Sequence, residues 1–242
     1  MTAVAAVRSL ITYLTILAYI AVAAPLALVC GVLLRWPDGM WALGHTGARL
    51  ALALAGIRYR ISGREHVPAT AVVFCSNHES NVDPPVLFEA LHRRLHILYK
   101  AELHKFPIMG TVFDVGGFVP IERNDRESAL RSIALGAESL KAGNSFLIFP
   151  EGTRSRTGQL LPFKKGGFIM AIDAQVPVVP VAISGGRSAM RKGSPIVRPV
   201  KVSVRIGQPI PTSGLTMEER DQLIAQVRSQ VQALLEQGSL WT

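Results

Sequence analysis

Residues Leu10 to Leu34 carry no charged side chain, a longer run than the roughly 20 residues a helix needs to cross a bilayer. Such a run cannot be left in water, so the rest of the chain must either bury it or use it as an anchor. Arg8 and the Arg35-Trp36 pair bracket it, as interfacial anchors do. Ala21-Val22-Ala23 imitates a signal cleavage site, but the apolar run continues well past it, and signal cores are shorter. We therefore expect a retained anchor. A second apolar stretch, Trp41 to Ile57, carries His45 and Arg49 and is short for a span. It reads as a helix in the interface or the return arm of a shallow hairpin, with Pro37-Asp38-Gly39 as the turn. Pro25 is placed to kink the first helix, and span and one-leaflet insertion stay open.

From Arg58 onward, short β-branched runs alternate with helical patterns, which predicts an α/β domain around a mostly buried mixed sheet flanked by helices. The expected strands are Arg58–Ile61, Ala71–Cys75, His96–Tyr99, Phe118–Ile121, Phe146–Phe149, Val178–Ile183 and Val200–Ile206. The expected helices are Pro84–Arg94, Arg126–Lys141 and Met217–Glu236. Asn124 with Glu127, and Thr216 with Glu219, form capping-box patterns at the last two. In the last helix Leu223, Ile224, Val227, Val231 and Leu234 mark the buried face. The organisation is then an anchor over residues 1–57 and one domain over 58–242.

Charge is divided unevenly. Residues 1–56 have Arg8, Arg35 and Arg49 against Asp38, whereas the remainder has 23 basic and 16 acidic residues. A basic domain on an apolar N-terminus suits an anionic lipid surface or a phosphorylated substrate. Aromatic residues are 7% of the chain and no nucleic-acid-binding motif is present, so nucleic acid is excluded as a partner. Cys30 and Cys75 sit in apolar runs and read as small buried hydrophobes, which fits a reducing compartment.

Chemistry concentrates in four places. The first is Asn77-His78-Glu79-Ser80-Asn81-Val82-Asp83 after the run Ala71–Phe74. A strand delivers His78 and a helix begins at Asp83, which precedes Pro84 and reads as its N-cap. A turn of this length can aim Asp83 at one imidazole nitrogen and leave the other for a substrate. The alternatives are a plain cap and a solvated histidine. The second is Gly116-Gly117-Phe118-Val119-Pro120-Ile121-Glu122-Arg123, which puts Arg123 at a strand end, although a surface ion pair would also account for it. The third is Phe149-Pro150-Glu151-Gly152-Thr153-Arg154-Ser155. Here Gly152 permits a positive φ and Arg154 offers a fork suited to phosphate oxygens, with a Glu–Arg turn as the plain alternative. The fourth is Val176-Pro177-Val178-Val179-Pro180-Val181, whose prolines favour an edge position or extended entry to a strand. His92 and His96 are spaced for a helical metal pair, but Arg93 stands where a zinc protease has its glutamate and no third ligand is evident. No metal is expected.

The four blocks, in this order, resemble those of the glycerolipid acyltransferases, in particular the bacterial type of 1-acylglycerol-3-phosphate acyltransferase. The third is matched at every position. The resemblance implies an α/β acyltransferase fold with an N-terminal membrane-docking segment. It also implies transfer of an acyl chain from acyl-ACP or acyl-CoA to the sn-2 hydroxyl of lysophosphatidate, with no cofactor. Carried over by position, His78 is the general base and Asp83 its orienting partner. Arg123, Glu151, Gly152, Thr153 and Arg154 belong to the acceptor and phosphate site, and Lys100, Lys164 and Lys165 are further candidate contacts. Phe-Val-Pro-Ile-Glu-Arg in the second block departs from the Phe-Ile-Asp-Arg of many relatives, and Pro85 after Pro84 is unusual. The Gly-x-Ser-x-Gly elbow is absent, so direct transfer without an acyl-enzyme is expected. The implied donors place the domain on the cytoplasmic side of the inner membrane. A chain-length ruler would use the apolar surface between Phe106 and Phe118. The rival readings are another lysolipid acceptor, such as a lyso-ornithine lipid, a hydrolase with water at the same base, and a non-catalytic membrane-binding module. The last gives no reason for His78, Asp83, Arg123, Glu151 and Arg154 to occur together.

Overall fold

The computed structural model describes residues 2–91, 94–105, 107–122, 125–190 and 193–241, with the side chains of 2 and 107–109 left aside. The expected site residue Arg123, the cap Asn124, His92 and Phe106 therefore lie outside the described residues.

All seven expected strands form, as β1 (Arg58–Ser62), β2 (Val73–Ser76), β3 (Leu95–Lys100), β4 (Val119–Ile121), β5 (Ser145–Ile148), β6 (Val178–Ser184) and β7 (Lys201–Ile206). They build one mixed sheet in the order β1-β7-β6-β2-β5-β3-β4. Its pairs are parallel except β6 with β7. β2 and β6 lie in the interior and are buried at nearly every residue. Side chains alternate between the two faces as the pleat requires. Val72 and Phe74 enter one apolar cluster, and Val73 and Cys75 the other.

The helices are α1 (Thr2–Leu28), α2 (Pro37–Ala55), α3 (Asp83–Ala90), α4 (Pro107–Val115), α5 (Arg126–Lys141), α6 (Gly166–Ala174) and α7 (Arg220–Glu236). Residues from α2 and α3 cover one face of the sheet, and residues from α5, α6 and α7 the other. Leu223, Val227 and Val231 form the buried stripe of α7. Several local expectations are corrected. The α5 cap is Asp125, whose side chain accepts the Glu127 N–H, rather than Asn124. α7 begins at Arg220, not Met217: the Glu219 carboxylate does accept the Thr216 N–H at 2.8 Å, but the Glu219 N–H donates to the Thr216 carbonyl at 3.2 Å, which closes a three-residue turn ahead of the helix. α3 stops at Ala90, and α4 and α6 were not foreseen.

Pro180 is also displaced from expectation, since β6 is an interior strand. The Val178 N–H donates to Ile210 on the β7 side, so by the two-residue period the Pro180 nitrogen faces that side too. The β6–β7 ladder begins only at Val181. The missing N–H thus costs the parallel ladder with β2 no bond.

α1 continues through a π-helical turn, Val29–Leu33, and the run Ala3–Leu33 is long and apolar enough to cross a membrane by length and composition. Its outer side leaves Leu10, Leu14, Leu17, Leu26, Leu33 and Trp36 exposed. Its inner side is tied down. The Val197 N–H donates to Ser9 Oγ at 2.8 Å, and Tyr13 Oη donates to the Pro195 carbonyl at 2.5 Å. α2 returns along α1, with Tyr19 Oη donating to the Leu43 carbonyl at 2.7 Å. It is joined to α3 through Glu89, whose oxygens meet His45 Nδ1 at 2.6 Å and Arg49 Nε at 2.5 Å. α2 ends at Gly56, in the left-handed region with φ 72°, and the chain enters β1.

Candidate active site

The strand order brings the ends of β2, β5 and β3 together on one edge of the sheet. The loop after β2 carries His78, and every polar atom of that residue but one is already engaged. Its main-chain N–H donates to Glu151 Oε1 at 2.8 Å, and its carbonyl accepts the Ser155 N–H at 2.8 Å. Nδ1 lies 2.8 Å from Asp83 Oδ2, and the Phe149 ring stacks on the imidazole with centroids 4.2 Å apart. Nε2 is what remains. A carboxylate oxygen at Nδ1 requires the proton there, which leaves the Nε2 lone pair to accept one.

Asp83 is at the first position of α3, but its side chain is not an N-cap. Oδ2 turns back into the loop, where it accepts the Glu79 and Ser80 N–H groups, each at 2.7 Å, as well as His78. The residue is wholly buried. Three donors in a closed pocket hold the carboxylate more firmly than one helix amide would. Among the described residues Oδ1 has no hydrogen-bond partner; it faces Gly186, where a Cβ would stand 2.7 Å away. Asn77 fixes the loop from the other side. Its amide donates to the Ile183 carbonyl and accepts the Ile183 N–H, both at 2.8 Å. Sequence reasoning assigned no role to Asn77, Phe149, Ser155 or Gly186. For Asn77 the available signal was its place between a strand end and the histidine.

Glu151 does not extend into the cleft. Its second oxygen accepts the Leu161 N–H at 2.9 Å, and the side chain is buried. Burial pushes its carboxyl above the ordinary range, and the two N–H donors oppose that shift. The neighbouring Glu79 is pushed up to about 7, by burial first and then by the charge of Asp83.

His78 opens onto a cleft of about 610 Å³ whose wall includes Lys100, Gly152, Thr153, Arg154 and Lys164. Lys100 meets Glu102 at 2.7 Å. Gly152 has φ +67°, as a glycine there allows, and a Cβ would stand 2.9 Å from Lys164 Nζ. Its own N–H closes a turn on the Phe149 carbonyl, so the positive charge of this wall comes from its cations and not from that amide. On the opposite face of the sheet, an apolar cavity of about 360 Å³ lies among Trp41, Pro84, Pro85, Phe88 and Phe118. It shares Met40, Gly44, Ala48 and Val112 with a second apolar cavity of about 610 Å³ between α1 and α2. His96 stands in strand β3, among the rings of Trp41, Phe118 and Phe146.

The acyltransferase family matches residues 58–184, from β1 through β6. The chain belongs to the acyltransferase family. It is 33% identical over 205 residues to a 1-acyl-sn-glycerol-3-phosphate acyltransferase of Limnanthes douglasii, covering 83% of this chain and 73% of the relative. It is 36% identical over 171 residues to the human 1-acyl-sn-glycerol-3-phosphate acyltransferase beta, covering 70% of this chain and 62% of that one. The crystal structure of the 1-acyl-sn-glycerophosphate acyltransferase PlsC of Thermotoga maritima superposes with a TM-score of 0.84 at 25% identity and covers 99% of both chains. The resemblance drawn from the four blocks is thereby borne out, as is the mixed sheet with its apolar N-terminal helix.

Proposed function

We propose that the chain is a 1-acylglycerol-3-phosphate O-acyltransferase that uses His78 as general base. The observation that carries the mechanism is the isolation of Nε2, since every other polar atom of His78 is held by Asp83, Glu151 and Ser155. Nε2 takes the proton of the sn-2 hydroxyl of lysophosphatidate as that oxygen attacks the thioester carbonyl of acyl-ACP or acyl-CoA. An O–C bond forms, the C–S bond breaks, and the imidazolium returns its proton to the departing thiolate. Positioned bases of this kind contribute about 10²–10⁴-fold.

Direct attack is favoured because the nearby nucleophiles are spent. Ser76 Oγ donates to the Asn77 carbonyl and is buried. Cys75 is buried, and burial pushes its thiol well up. The acceptor phosphate is assigned to Arg154, Lys164 and Lys100, with Arg123 after β4. The exposed apolar side of α1 docks in one leaflet of the inner membrane, with the domain on the cytoplasmic side. A patch of that kind is rarely left in water.

The test compares wild type with His78→Ala for acyl transfer from acyl-CoA and acyl-ACP to lysophosphatidate. Transfer by wild type, with a loss of about 10²-fold or more in a folded variant, is the expected result. Undiminished transfer by His78→Ala overturns the mechanism, and activity only with another lysolipid overturns the acceptor. Protease protection in sealed vesicles of known orientation reads the sidedness.

A further inference from the structure

β2 lies between β5 and β6, so His78 has a loop on each flank. The β5 flank carries the cations assigned above to the acceptor phosphate. The β6 flank carries a cation as well. Arg187 sits in a single 3₁₀ turn, Gly186–Ser188, directly after β6. The Gly186 before it packs against the His78–Asp83 loop, where a Cβ would stand 2.7 Å from Asp83 Oδ1. Arg187 Nη1 donates to the Arg156 carbonyl at 3.3 Å. The Arg156 and Arg187 side chains are both exposed, and among the described residues neither forms an ion pair with a carboxylate. Arg156 follows Ser155, whose N–H donates to the His78 carbonyl at 2.8 Å, and Arg187 follows Gly186, which packs on Asp83, so both arginines stand one residue from a contact with the His78–Asp83 loop, and planar forks of this kind suit a phosphate.

The proposed reaction brings two phosphorylated molecules to one base, and two anions on one set of cations would oppose each other. We propose that Arg156 and Arg187 receive the phosphate of the acyl donor's phosphopantetheine arm, the group that coenzyme A and acyl carrier protein share. This rests on the reading of the chain as a thioester-dependent acyltransferase. The arm then runs from the Arg156–Arg187 pair toward His78, while the lysophosphatidate phosphate sits in the cleft of Lys100, Arg154 and Lys164, which neither of those arginines lines. The packing of Gly186 on Asp83 and the bond from Ser155 to His78 set the distance between phosphate and base.

The experiment is steady-state kinetics of the full chain and of the Arg156→Glu/Arg187→Glu double variant. Three donors are compared at saturating lysophosphatidate: acyl-CoA, acyl-ACP and acyl-N-acetylcysteamine, a pantetheine thioester mimic without phosphate. The expected result is a fall of about tenfold or more in the ratio of kcat/KM for phosphate-bearing over phosphate-free donors, as for loss of a charge-assisted bond. KM for lysophosphatidate stays within about twofold. A fall with both natural donors assigns the shared phosphate, and a fall with one alone names the source the patch serves. An unchanged ratio, or a rise in KM for lysophosphatidate in its place, overturns the proposal. If the double reversal fails to fold, Arg156→Gln/Arg187→Gln is read by the same ratio. A wild type that acylates another lysolipid overturns only the acceptor reading, and the ratio is then measured with that lipid. A wild type inert with every thioester overturns both.

Discussion

Replacing Glu151 by Gln separates a positioning role from an acceptor-binding one. The native carboxylate accepts the His78 N–H on one oxygen and the Leu161 N–H on the other, at 4% exposure. A glutamine of the same shape offers one oxygen and one NH₂, so whichever way it turns, one main-chain N–H faces a donor. A buried unsatisfied donor costs about 1–3 kcal/mol. Part of this is offset because the native carboxyl is itself disfavoured by burial, so a net loss of about 1–2 kcal/mol is expected. In a domain of this size that lowers Tm by about 2–8 °C. The effect on rate is larger. If the amide keeps Leu161, the His78 N–H is released, and a base displaced by about 1 Å loses about 10²-fold. We expect kcat to fall by about ten- to a hundredfold while KM for lysophosphatidate stays within about twofold. Thiol release from acyl-CoA as a function of each substrate measures both constants. A raised KM with kcat intact would refute the reasoning, because Glu151 would then be touching the acceptor.

Asp83→Asn leaves the size of the side chain unchanged but removes the charge on which three N–H groups converge. It should cost about 10²–10⁴-fold in kcat with retained circular dichroism, since the tautomer of His78 is no longer dictated; a loss under threefold would count against the dyad. Glu79→Gln tests the carboxyl that folding pushes up to about 7. Between the ordinary carboxylate range and pH 7 the folded chain keeps a proton that the unfolded chain has lost, so stability falls as pH rises there, by about 3 kcal/mol in all. The variant should be flatter over that window and more stable at pH 8 in denaturant titrations, and parallel curves would contradict the assignment. Gly44 borders both apolar cavities, and a Cβ there meets nothing within 4 Å. Gly44→Leu should therefore shift the preferred acyl chain shorter, at about 0.8 kcal/mol per excluded methylene, in competition between donors of graded length; an unchanged preference would place the acyl chain elsewhere.

The parts of the fold that were legible are those set by local pattern. Short runs of apolar, β-branched and aromatic residues marked the seven strands, and the stripe through Leu223, Val227 and Val231 marked α7. α6 escaped because its first two residues are Gly166 and Gly167, poor helix formers that read as loop. α4 is nine residues long, with Gly110 inside it, and a short apolar segment does not declare its period. Asp83 shows a sound local rule overruled by tertiary structure. Asp before Pro favours an N-cap, yet three donors of the preceding loop draw the carboxylate backward. Nothing near Asn77 in the chain announces Ile183, 106 residues away.

The same limit explains why a motif names residues without dividing the work among them. The block Phe149–Ser155 suggested one acceptor-binding surface. Folded, it splits. Phe149 covers the imidazole face, Glu151 and Ser155 grip the His78 main chain, and Gly152, Thr153 and Arg154 are left along the cleft wall. The split follows from the parallel pairing of β2 with β5, which carries both loops off the same edge. The β5 loop thus lies against the β2 loop, and its first polar groups are consumed in holding His78. Substitutions at Glu151 or Ser155 should therefore act on kcat, and those at Arg154 on the acceptor KM. A block that bound acceptor as one unit would move the same constant at all three positions.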